Sequence, residues 1–181
     1  MPKNWRPVGR SAIAASALIA LVLVTDVLET VADVAGAAAM DDVMLWTNTG
    51  FFVLAAVAFI VWLWRVRANA ELLVGPHGQR LTREWVIAGW ICPVVNLWFP
   101  YRVVVDVWRA SSPDRANVRD GLVVWWWMAF VVSWLFTRFI TLAGIVDTVP
   151  LIAACLLDLV SGALALLVVR RITEWQSPTR G

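Results

Sequence analysis

Residues 85–110 read WVIAGWICPVVNLWFPYRVVVDVWRA, and whether this stretch crosses a membrane fixes the number of spans and the side on which everything after it lies. Its length allows a crossing, which takes about 20 apolar residues, but Pro93 and Pro100 interrupt it. Charge separates the two topologies. Lys3, Arg6 and Arg10 precede the first apolar stretch, a large group runs from Arg65 to Arg119, and Arg170, Arg171 and Arg180 follow the last, leaving Arg138 by itself. If 85–110 stays on the side it starts from, all basic residues but Arg138 share one face of the membrane. If it crosses, the split becomes about eight to seven, which the positive-inside tendency disfavours.

Working outward, four other segments are long enough to span, at about 11–31, 43–64, 121–140 and 149–169. Asp41 and Asp42 in the first connection and Asp147 in the last make outside turns nearly free of positive charge. The expected fold is therefore an all-α integral membrane domain covering 1–181, with four transmembrane helices, both termini cytoplasmic and a short tail at 170–181. Asn69 to Leu72 should prolong the second helix into the cytoplasm, and Gly75-Pro76-His77-Gly78 is a turn by composition. Composition agrees: 61% hydrophobic residues, 13 Trp and a mean hydropathy of +0.75 lie far outside soluble averages. A net charge of +2, with the basic residues beside apolar spans, points to anionic lipid and away from nucleic acid.

The segment 85–110 is expected as a Pro-broken re-entrant or interfacial piece between the second and third spans. From Pro100, suited to a first helical turn, Tyr101, Val104, Val105 and Trp108 recur at helical spacing, with Arg102, Asp106 and Arg109 opposite. That is the pattern of an interfacial amphipathic helix. The preceding 85–99 reaches only about 22 Å as a helix, short of the roughly 30 Å hydrocarbon core. It suits a shallow helix and turn.

The run Trp62-Leu63-Trp64-Arg65-Val66-Arg67-Ala68-Asn69-Ala70, then Trp85, Trp90 to Tyr101 and Val107-Trp108-Arg109-Ala110-Ser111 resembles the multi-pass bacterial membrane family known as domain of unknown function DUF4328, over about Phe51 to Leu167. Cys92 departs from larger apolar residues at that position. The resemblance implies the architecture, a bacterial inner-membrane location and a shared middle segment, and it carries no established activity.

Several residues stand out as candidate sites. Asn69, Pro93, Asn96, Pro100, Arg102, Asp106 and Arg109 are candidates for ligand or lipid binding. Pro93 frees a backbone carbonyl and Asn96 could cap a turn or meet a ligand's polar group. Two guanidiniums on a water-facing helix suit a phosphate head group, although Arg102, Asp106 and Arg109 are also at salt-bridge spacings. Asp158 lies near the middle of the fourth span, where a carboxylate marks a functional site by default, and Ser133 at similar depth is an expected hydrogen-bond partner. Asp26, Glu29 and Asp33 share one face of the first helix, and helical rise sets Arg138 level with them. An ion pair of Arg138 with Asp26 or Glu29 is expected there.

Other features point to structure. Trp62, Trp64, Trp85, Trp98, Trp108, Trp125, Trp126 and Trp127 fall where an inner interfacial belt would put them. Cys92 and Cys155, in apolar segments without metal or redox spacing, are expected as buried, unpaired thiols. The start of the chain resembles a signal peptide with Ala37-Ala38-Ala39 as a cleavage motif, but Asp26, Glu29 and Asp33 argue against cleavage. Small residues at Ala12, Ser16 and Ala20, and at Ser161 and Ala165, suit close helix packing or a homo-oligomer.

No metal site, cofactor or catalytic motif is expected. The first functional expectation is a non-enzymatic membrane protein whose segment 65–119 binds lipid head groups or a membrane-protein partner. The alternative is a small oligomeric transporter or channel using Asp158 with Pro93 and Asn96.

Overall fold

A computed structural model describes residues 4–36, 41–75, 78–92, 95–145 and 147–177, without the side chains of 41 and 42. Pro93, His77, Lys3, Arg180 and the run Ala37-Ala38-Ala39 lie outside the described residues. Six helices follow one another: α1 (Gly9–Val34), α2 (Asp41–Val74), α3 (Trp85–Ile91), α4 (Phe99–Ser111), α5 (Gly121–Leu142) and α6 (Thr148–Gln176). Four of them, α1, α2, α5 and α6, are long and apolar enough to cross a membrane.

All four extend past the expected limits, because their apolar cores run into polar ends that packing keeps helical. α2 continues to Val74 and α6 to Gln176. The turn after α5 shows how an end is set. Gly144 takes the left-handed φ of 63° that a side chain resists, and Ile145 N–H then reaches back to the Ile140 carbonyl at 3.0 Å.

α1 packs on α2, α6 on α5 and α1 on α6, giving the lateral order α2, α1, α6, α5. α2 and α5 form no comparable backbone packing with each other. They meet through the rings of Phe59 and Trp126, 5.8 Å apart. The short helices fill the end of the bundle where the arginines gather. α3, about 10 Å long by helical rise, folds against α4, with Gly89 allowing the approach: a Cβ there would sit 3.3 Å from Phe99 Cβ. α4 is wedged among α2, α5 and α6.

α4 keeps Arg102 and Arg109 exposed as its amphipathic pattern predicts, but Asp106 departs from that pattern. Val103, Val104, Val105, Val107 and Trp108 are all buried, and so is Asp106, because residues 78–84 fold across the face that spacing alone assigned to solvent. Only a narrow strip with Arg102 and Arg109 is left exposed. The tryptophans differ from expectation in the same way. Trp62, Trp108, Trp126 and Trp127 belong to the core, whereas Trp125 and Trp98 are exposed. Their indole N–H groups are satisfied inside: Trp62 donates to Thr173 Oγ1 at 3.1 Å, Trp108 to the Arg119 carbonyl at 3.0 Å and Trp127 to the Leu97 carbonyl at 2.9 Å. Aromatic edges close the layer, with Trp90 against Phe59, Trp127 and Phe130. Burying rings this large against one another dominates the energetics of that end.

Candidate functional site

Two polar regions emerge, and they are built differently. At the basic end, Arg67 is 2% exposed and bound on all sides, donating to Glu71, to Gln79 Oε1 and to the Leu81 carbonyl. Glu71 also pairs with Arg83, whose guanidinium lies 5.5 Å from the Trp64 ring centre. Asp106 accepts from both the backbone and the side chain of Arg80 at 3.0 Å, a partner outside its own helix. Arg109 pairs with Asp120. The expected Arg102–Asp106–Arg109 ladder is therefore replaced by longer-range pairs.

Asn69 is fully buried, which corrects its place among ligand-binding candidates. It accepts from Arg6 N at 2.8 Å, and donates to Arg6 O at 2.9 Å and to Gln176 Oε1 at 3.0 Å. Gln176, also buried, passes the chain on through Nε2 to the Val66 carbonyl at 3.0 Å and Ser111 Oγ at 2.8 Å. One network thus ties the N-terminal segment, α2, α4 and α6. Pro100 is buried in the first turn of α4. These residues hold the fold.

The second region is a partly open cavity of about 760 Å³ bordered by α1, α2, α5 and α6, with Phe59 and Trp126 in its lining. Its volume is within the roughly 300–1,000 Å³ of drug-sized ligand sites. Asp26, Glu29 and Asp33 from α1 and Asp158 from α6 line it, and Asn96 and Trp90 border it from the connection between α3 and α4. The Asn96 backbone N–H closes a turn on the Cys92 carbonyl at 2.9 Å, which fixes that connection.

Ser133 Oγ donates to Asp158 Oδ1, so these two candidates are brought together. Asp26 lies close enough to Asp158 to interact with it, with the Cys155 thiol beside Asp26 and Thr30. Arg138 is not part of this group: it is exposed on α5, and no ion pair joins it to Asp26 among the described residues. The reason is rotation. Five residues beyond Ser133, at about 100° each, carry Arg138 about 140° round the helix, whereas Thr137, four beyond and only about 40° round, lines the cavity. Cys155 is buried as expected, but Cys92 is exposed; both thiols are free.

Sequence reasoning passed over Thr30, Trp90 and Thr137 as site residues. For Thr137 a usable signal existed, its four-residue spacing from Ser133. For Trp90 there was none, since nothing local shows that α3 reaches the level of Phe59 and Phe130.

The class is thus an all-helical bundle with four helices able to cross a membrane and a carboxylate-lined cavity between them. The chain belongs to the family described as domain of unknown function (DUF4328), whose match runs over residues 25–174 and so takes in the cavity lining from Asp26 to Ala165. No curated protein and no solved structure matches it.

Proposed function

We propose that this chain is a small membrane transporter whose binding site is the cavity among α1, α2, α5 and α6. The observation that carries it is that Asp26, Asp158 and Asn96, from three separate parts of the sequence, border one cavity. Carboxylates within a bundle face its interior or a polar path when they serve solutes, and this arrangement supports that use. The basic end serves as the rigid base, oriented to the cytoplasm of a bacterial inner membrane by the positive-inside tendency. No enzymatic step is proposed.

Flux into proteoliposomes, across a panel of ions and small solutes, tests this. Native protein should show solute-dependent flux that Asp158→Asn removes and that Ala56→Trp, which places a large ring in the cavity lining, blocks. No flux from native protein across the panel overturns the proposal.

A second role, anchoring at anionic lipid head groups, is favoured by the exposure of Arg102, Arg109, Arg170 and Arg171 around the basic end. It would fix orientation, and segment 65–119 would then meet lipid or a membrane partner through those side chains. Neutralising Arg102 and Arg109 together should lower co-purified anionic lipid; unchanged lipid content would count against it.

A further inference from the structure

We infer that the cavity's ligand is a lipophilic organic cation, an inference that rests on the transporter reading and gives it a substrate class. Three independent features of the lining converge. The first is charge: Asp26 and Asp158, from two different helices, line the cavity, and no Lys, Arg or His does so among the described residues. That one-sided arrangement favours a positive guest and disfavours a negative one.

The second is the opposite wall. Phe52 and Phe59 from α2, Trp90 from α3, and Trp126, Phe130 and Trp134 from α5 all line the same cavity. The carboxylates come from α1 and α6, so a guest between the pairs meets negative charge on one side and aromatic rings on the other. Aromatic faces attract cations, and more strongly once water is excluded. They also supply the apolar contact that a hydrated inorganic ion cannot use.

The third is a set of polar atoms left over by the fold. Asp26 Oδ2, Trp90 Nε1 and Thr137 Oγ1 are buried, have no hydrogen-bond partner and belong to cavity-lining residues. Buried polar atoms without partners each cost about 1–3 kcal/mol and are uncommon in native structures. Gln79 Nε2 and Arg83 Nε at the basic end are left over too, but the three around the cavity are the ones a guest with polar atoms would meet.

A bare metal ion fits less well. Among the described residues no three His, Cys, Asp or Glu side chains are close enough to hold one. Carboxylates facing an aromatic wall suit diffuse charge on a larger organic body.

Tetraphenylphosphonium and tetraphenylborate, nearly equal in shape and opposite in charge, give the test. Binding is measured on full-length protein in lipid nanodiscs, with protein-free discs subtracted. Saturable binding of the phosphonium, none of the borate, and weakening of the phosphonium by about tenfold or more in Asp158→Asn and in Asp26→Asn are expected. Ala56→Trp should abolish it. If both ions bind equally and Ala56→Trp removes both, the cavity still binds solutes and the cation inference is overturned. If neither ion binds native protein saturably, the cation inference is also overturned, while the transporter reading is judged separately by flux. The comparison of the two ions on native protein does not depend on any variant folding.

Discussion

The two ends of this bundle treat charge in opposite ways. Around Arg67 and Asp106 each buried charge is matched within the chain, by Glu71 and Arg83 on one side and Arg80 on the other. Around Asp26 and Asp158 carboxylates border a cavity with no Lys, Arg or His in its lining among the described residues. A buried ion pair that is complete fixes a geometry, whereas an incomplete one stores a preference for something from outside. The first region is therefore read as scaffold and the second as site.

This contrast is most exposed to failure at Arg67. Replacing it with Leu leaves Glu71, Gln79 and the Leu81 carbonyl without their shared donor, and breaking a buried pair typically costs about 3–5 kcal/mol. Thermal unfolding of purified protein in detergent should show the largest drop of any single variant here; wild-type stability would remove the scaffold half of the comparison. Asn69→Leu should cost less, about 1–3 kcal/mol for polar groups left unsatisfied. Combined with Gln176→Leu, it should be less than additive in a double-mutant cycle, since the pair shares one hydrogen-bond network. Strict additivity would deny that link.

In the cavity the sign should reverse. Asp158→Asn keeps an acceptor for Ser133 Oγ and removes a desolvated charge, so stability should hold or rise while solute binding falls. A stability loss as large as that of Arg67→Leu would mark Asp158 as scaffold. Smallest of all, Arg102→Ala should change stability by no more than about 0.5 kcal/mol, as surface substitutions do.

The number of spans was legible because length and charge placement are properties of the chain alone. So was the meeting of Ser133 with Asp158, since helical rise sets both at one depth. Rotation was not: α2 and α6 are apolar all round, and a helix without a polar face does not announce which side it buries. On α5, Arg138 was expected beside Asp26 or Glu29 from rise alone and lies exposed instead. Asp106 with Arg80, and Asn69 with Gln176, are joined by chain folding over 26 and 107 positions, which no local spacing encodes. The tryptophans misled for a related reason. An indole that ends at an interface and one that ends in the core have the same neighbours in sequence, and Trp125 and Trp126 are adjacent yet lie on opposite sides of that distinction.

Cys155 provides the most direct measurement of the central claim, because it is a native thiol in the cavity lining beside Asp26. In a Cys92→Ser background, which removes the exposed thiol, cationic and anionic methanethiosulfonate reagents of similar size can be compared on reconstituted protein. Faster modification of Cys155 by the cationic reagent, slowed toward the anionic rate by Asp26→Asn with Asp158→Asn, is the expected result. Equal rates for the two reagents, or a thiol that neither reaches, would contradict a cation-selective cavity.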